Sequence, residues 1–243
     1  MQLLSIVRHF RPGLLPTLAV ALLLPLLLTL GFWQLSRAEE KRLLLAEYEA
    51  IRQAPPITAA ELFAQAAPKE GQAVLLRGQF DDKRSLLLDN RTRAGRVGLE
   101  LLQPFQDKDS KLWLLVNRGW LPWPDRRKPP VFTTPVGEQQ LIARVYLRKK
   151  SWFQRANTRS DEWPQLIIEV EPQNLWQTLE RDGLPWQLRL QDGAAAYVTD
   201  WQVINMPPAK HTGYAVQWFA LAATLVGLYL YLGRHNAEKN RPA

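Results

Sequence analysis

Histidine is the scarcest residue able to carry chemistry in this 243-residue chain: His9, His211 and His235 are the three, and cysteine is absent. Without cysteine there is no thiol nucleophile, disulfide, iron–sulfur cluster or Cys-ligated zinc. His211, Tyr214 and Trp218 recur at i, i+3 and i+7, one face of a helix. A neutral imidazole flanked by aromatic rings can ligate a haem iron. It can equally be an interfacial histidine wetted by lipid headgroups, and the spacing leaves both readings open.

Two apolar runs end alike, Leu86-Leu87-Leu88-Asp89-Asn90-Arg91 and Leu114-Leu115-Val116-Asn117-Arg118, the second continuing into Gly119-Trp120. Asn suits a turn, and Arg a solvated strand end. Alternatively, the planar guanidinium is aimed at carboxylates of a partner or ligand, which it binds through two bonds. On that second reading Arg118→Ala harms function and leaves thermal stability nearly unchanged. Asp81-Asp82 and Asp161-Glu162 read as polar turns rather than acid–base pairs. The sequence contains no phosphate-binding glycine loop, GxSxG elbow or HExxH pair. A Ser–His–Asp hydrolase would have only His211 between the two long apolar runs as its base, so the chain does not read as an enzyme. The net charge is +8, but basic residues are interleaved with acids, which argues against a nucleic-acid surface.

The elements that must position these residues begin with two uncharged runs, Pro12–Ser36 of 25 residues and Thr212–Gly233 of 22. A helix of about 20 apolar residues crosses a hydrocarbon core of roughly 30 Å. The first run exceeds the h-region of a cleaved signal, and Trp33 sits where an interfacial anchor belongs. The flanking tails are basic, with Arg8 and Arg11 before the first run, and Arg234, Lys239 and Arg241 against Glu238 after the second. The positive-inside rule then places both termini in the cytoplasm and the long middle segment outside it, in a bacterium the periplasm. The expected organisation is a tail 1–11, a span 12–36, a domain 37–211, a span 212–233 and a tail 234–243.

Within the domain, a polar helix continues the first span to Gln53, where Pro55-Pro56 ends it, and Thr58-Ala59-Ala60-Glu61 is a capping box before a short helix. Eight strands are predicted: Ala73–Phe80, Ser85–Asp89, Val97–Phe105, Leu112–Val116, Gln139–Lys149, Leu166–Val170, Trp186–Leu190 and Tyr197–Ile204. Asn174–Arg181 reads as a helix stopped by Gly183. The predicted fold is therefore two transmembrane α-helices flanking an extracytoplasmic α+β domain. Its sheet is mainly antiparallel, with a barrel as one form it can take.

At these residues the chain resembles the Surfeit locus protein 1 (Shy-one) family of cytochrome c oxidase assembly factors. Gly31-Phe32-Trp33-Gln34-Leu35-Ser36-Arg37 with Lys41 is similar to the family's G-x-W-Q-x-x-R-x-x-x-K. Asn90-Arg91 to Gly98 with Pro104-Phe105, Leu115-Val116-Asn117-Arg118-Gly119-Trp120-Leu121-Pro122, and His211-Thr212-Gly213-Tyr214-Ala215-Val216-Gln217-Trp218-Phe219 resemble three further blocks in the same order. One departure is Lys210, where many members place Asn. The resemblance implies a non-enzymatic membrane helper acting around haem a insertion, with haem a bound transiently through His211. It implies as partners the oxidase catalytic subunit, other assembly factors or haem a synthase, and as location the inner membrane. Tyr214, Trp218 and Trp33 are expected as walls of the haem slot. Arg37, Asn90, Arg91, Asn117, Arg118, Gly119 and Trp120 are expected as propionate or partner contacts. A cofactor-free envelope-assembly adaptor with the same topology is the alternative.

Overall fold

A computed structural model describes residues 10–147 and 162–239 of the chain. Among these described residues, four helices, α1 Leu14–Gln53, α2 Ala59–Phe63, α3 Pro172–Leu179 and α4 Pro208–Lys239, accompany eight strands. The strands are β1 Ile57–Thr58, β2 Ala73–Phe80, β3 Leu86–Arg93, β4 Arg96–Asp107, β5 Trp113–Pro122, β6 Gln139–Tyr146, β7 Gln165–Ile167 and β8 Gly183–Leu190. The chain divides into two compact units, the first holding residues to 46 and from 202 onward, the second residues 47–201.

In the first unit, α1 and α4 are each long and apolar enough to cross a membrane. Polar residues follow the apolar run of α1 without a break, as expected, and the helix runs on to Gln53. The two helices pair along a seam of small residues, with Gly31 and Ala38 buried on α1 and Ala215 and Ala222 buried on α4. Without a hydrophobic drive between helices in lipid, small side chains let backbones approach and dispersion hold them. The Phe219 ring lies directly over Gly31 and meets Phe32 edge-on with centroids 5.2 Å apart. Farther along the pair, the Thr17 and Tyr229 hydroxyls are 3.0 Å apart. Rising numbers on α1 thus meet falling numbers on α4, an antiparallel helix pair.

In the second unit, β2-β6-β8-β5-β4 form a sheet that closes where β4 returns to β2, through Gly78–Phe80 against Phe105–Asp107. The result is a five-stranded barrel. Closure brings backbones so near that a Cβ at Gly78 would stand 1.9 Å from the Gln106 carbonyl oxygen, so the residue there must lack one. Alternate residues of the barrel strands, including Leu76, Phe80, Phe105, Leu114, Val116, Val145, Leu188 and Leu190, form the enclosed core. Leu62 of α2 joins it, and α2 starts from the expected capping box, Thr58 Oγ1 accepting from Glu61 N while Glu61 accepts from Thr58 N.

β3 and β7 extend the sheet beyond β4. Their apolar residues meet Leu175, Trp176 and Leu179 of α3 on one face, while Leu87, Leu99, Leu101 and Leu121 pack on another. Burial on both faces explains why Leu86-Leu87-Leu88 is uninterrupted.

Two expectations are corrected. No strand forms over Tyr197–Ile204: β8 and β4 already occupy both edges of β5, and only Val198 bridges Trp120, past the point where β8 ends. Gly183 does not stop α3; Glu180, left-handed at φ 52°, takes that place, and Gly183 opens β8 beneath the Trp176 ring. The sheet is mainly antiparallel, as expected, and also contains the parallel pairs β1–β2, β3–β7 and β5–β8. Arg148-Lys149, Asp161 and the tail residues Arg8, His9 and Arg241 lie outside the described residues.

Candidate functional site

The helix seam carries the histidine. His211, one turn into α4, is 7% exposed, and its Nδ1 stands 2.7 Å from Oε1 of Gln34 on α1. No hydrogen bond reaches its Nε2 among the described residues. Ala215, one turn further, is buried on the same seam, whereas Tyr214 is 45% exposed and points off it. Trp218 is half-buried, and Trp33 is 52% exposed. Phe32, beside Trp33 on α1, is the ring that meets Phe219 of α4. The expected face of His211, Tyr214 and Trp218 is split at Tyr214, because α4 is turned so that Ala215 and Ala222, not Tyr214, are buried beside His211's edge of the helix.

Among the described residues no three His, Cys, Asp or Glu side chains cluster. A lone imidazole with one nitrogen paired and the other unpaired suits the axial ligand of a haem, which takes a single protein nitrogen, better than a chelated ion. The donor chemistry at His211 fits the implied group.

In the barrel, Asn117-Arg118-Gly119-Trp120 is internal. Arg118 follows Leu114 and Val116 on the inward face of β5 and is 2% exposed. Its Nε donates to Ala195 O at 2.7 Å, and its Nη1 to Gln103 Oε1 at 2.6 Å and Thr133 O at 2.8 Å. Its guanidinium lies 5.1 Å from the ring centroids of both Phe80 and Tyr197. Burial pushes this guanidinium below its ordinary pKa, and the adjacent Tyr197 opposes that shift. Arg118 thus ties two loops to β4 and β5 rather than standing where a partner carboxylate could meet it. This corrects the reading of Arg118 as an outward contact: the inward alternation of β5 continues through it.

The neighbours are equally committed. Asn117 Nδ2 donates to Glu100 Oε2 at 2.7 Å, and Asn117 Oδ1 accepts from Gly119 N at 3.1 Å. Gly119 has φ 113°, and a Cβ there would sit 2.8 Å from Val198 O, so only glycine fits. Trp120 Nε1 donates to Arg91 O at 2.9 Å, which joins the two Asn-Arg segments. Asn90, at φ 57°, occupies the register shift between Leu88 and Arg91. The Arg91 Nε is buried without a partner. Arg37 on α1 is exposed and paired with Glu40 one turn on.

Sequence reading missed a second polar group on the outside of the barrel. Arg189 stacks 3.4 Å from the Tyr146 centroid and 4.6 Å from that of Trp201. Arg93 lies over Trp201 at 5.2 Å and 3.6 Å from Glu100. Burial pushes the Arg189 guanidinium down, opposed by Tyr146 and Glu100. The available signal was a charge inside the apolar run Trp186–Leu190.

The family model described as the SURF1 family matches residues 21–223. A SURF1-like protein of Rickettsia felis is 28% identical over 233 residues, covering 90% of this chain and 96% of its own. One of Rickettsia conorii is 27% identical over 227 residues, covering 86% and 87%. Surfeit locus protein 1 of Mus musculus is 33% identical over 107 residues, covering 38% of this chain and 35% of its own.

Proposed function

This chain belongs to the SURF1 family, and from that premise we propose that it is a membrane-bound assembly factor for a haem-copper cytochrome c oxidase, holding haem a before its transfer to the catalytic subunit. Its place is the inner membrane, with both termini cytoplasmic and the barrel periplasmic. The observation that carries the haem reading is His211, a lone imidazole held between two helices long and apolar enough to cross a membrane. When bound, haem supplies an iron that accepts one neutral imidazole nitrogen and an apolar macrocycle that lipid-facing helices shield from water. His211 offers Nε2 as that nitrogen, and the Phe32–Phe219 pair supplies apolar surface about two turns further along α4. The exposed Arg37, about one turn beyond Gln34 on α1, is the nearest cation on that helix for a propionate.

The test is an optical spectrum of the full chain purified in detergent from cells that make haem a. A Soret band stoichiometric with protein is expected for the wild type and is lost in His211→Ala, which remains inserted and folded. Undiminished haem a in the variant would return His211 to an interfacial histidine. A wild type without haem a, whose loss still lowers assembled oxidase, would leave a docking factor.

A further inference from the structure

The Gln34–His211 pair does more than join two helices. An imidazole has two nitrogens, and in the neutral ring one carries the proton while the other keeps its lone pair. The amide Oε1 of Gln34 is an acceptor only, and it faces Nδ1 at 2.7 Å. With the amide oxygen oriented toward the ring, the contact is a hydrogen bond only when the proton sits on Nδ1. The lone pair then falls to Nε2, on the opposite edge of the ring and turned away from Gln34. In water the Nε2–H tautomer is the commoner, so an unpaired His211 would present the wrong edge most of the time.

The surroundings make this pairing durable. On α1 Gly31 precedes Gln34 by three residues and Ala38 follows by four, both buried. On α4 Ala215 follows His211 by four, also buried, and Phe219 covers Gly31 four further on. These buried small residues stand on either side of the point where the amide and the imidazole meet. His211 is buried and Gln34 half-buried, which limits the water that competes for the bond and makes its loss costly.

We propose that Gln34 is a positioning residue that holds His211 as its Nδ1–H tautomer, leaving Nε2 as the sole free nitrogen for a metal-bearing ligand. This rests on the reading of His211 as the haem ligand. Hydrogen-bonded partners of this kind orient metal-binding histidines generally, and their removal typically lowers affinity about 10–100-fold.

The experiment uses the full chain in detergent, labelled with [15N]histidine and prepared without haem a. The His211 signals are those missing from His211→Ala. The wild type is expected to show a protonated Nδ1 and an unprotonated Nε2. Gln34→Leu keeps the size of the side chain and removes the acceptor. It is expected to move His211 toward the Nε2–H pattern and to weaken haem a binding about tenfold or more in a titration. Gln34→Glu retains an acceptor and is expected to restore both. An Nε2–H pattern in wild type, or a Gln34→Leu protein with unchanged tautomer and affinity, overturns the proposal. The two readings separate cleanly. Wild type that is Nδ1–H but takes up no haem a sinks the haem assignment and leaves the pair standing. Wild type that binds haem a as the Nε2–H tautomer sinks the pair and leaves the assignment standing.

Discussion

Arg118 shows how a single residue changes meaning with its surroundings. Its three hydrogen bonds end on Ala195 O, Thr133 O and Gln103 Oε1, and Gln103 in turn donates to Ser85 Oγ at 2.8 Å and Thr134 Oγ1 at 2.7 Å. Removing the guanidinium would leave the buried Ala195 O and Gln103 Oε1 without this donor, while Thr133 O keeps the Tyr197 hydroxyl. Arg118→Ala is therefore expected to cost on the order of 3 kcal/mol in chemical denaturation of the full chain. A variant that unfolds at the wild-type denaturant concentration while losing function would restore the partner-contact reading. Asp89 permits a second test at this scale. Two hydrogen bonds from Arg126, at 2.6 and 2.7 Å, hold its carboxyl below the usual carboxylate range, against the effect of burial, and the Asn90 N–H adds to them. A depressed folded pKa contributes stability above the unfolded value of about 3.9 and loses it as pH falls through the folded value. Arg126→Ala should thus be less stable than wild type at neutral pH, with the difference closing as the solution is acidified below about pH 4. A gap that does not change with pH would mean the ion pair is not its source.

At the scale of elements, the helix pair depends on a missing side chain. A Cβ at Gly31 would stand 2.5 Å from the Phe219 ring, whereas Gly227 on α4 has open space around its Cβ position. Gly31→Leu is expected to lower the stability of the helix pair by about 1–3 kcal/mol, as overpacking does. Gly227→Leu should stay within about 0.5 kcal/mol of wild type. Thermal unfolding in detergent compares them, and equal melting temperatures for the two variants would show that the seam is not a tight contact. Because Gln34 and His211 sit on the same seam, Gly31→Leu should also weaken whatever the imidazole binds.

For the whole molecule, the decisive quantity is the side of the membrane on which each segment lies. The described basic residues nearest the ends are Arg11 before α1, and Arg234 and Lys239 at the end of α4. Short basic flanks stay in the cytoplasm, whereas a long domain translocates largely regardless of charge. Alkaline phosphatase joined after Lys150 is expected to be active, and joined after Ala243 inactive. The reverse pattern would place the barrel in the cytoplasm and remove haem a transfer at the outer surface from consideration.

Much of this architecture is legible in the chain. Uninterrupted apolar runs reveal the two long helices, alternation reveals β2 to its exact ends at Ala73 and Phe80, and Thr58 with Glu61 reveals the capping box. These are local signals, set by side-chain period and by hydrogen bonds three residues apart. The ordered family blocks were equally readable. Alternation along β5 puts Arg118 on the face of Leu114 and Val116, but tertiary structure alone decided that this face is closed over it, because its partners Gln103, Thr133 and Ala195 come from distant segments. It alone closed the barrel at Gly78, where the contact depends on the backbone of β4. It alone joined Gln34 to His211, since their 177-residue separation is bridged only when two helices pack, and no periodicity reports which faces meet.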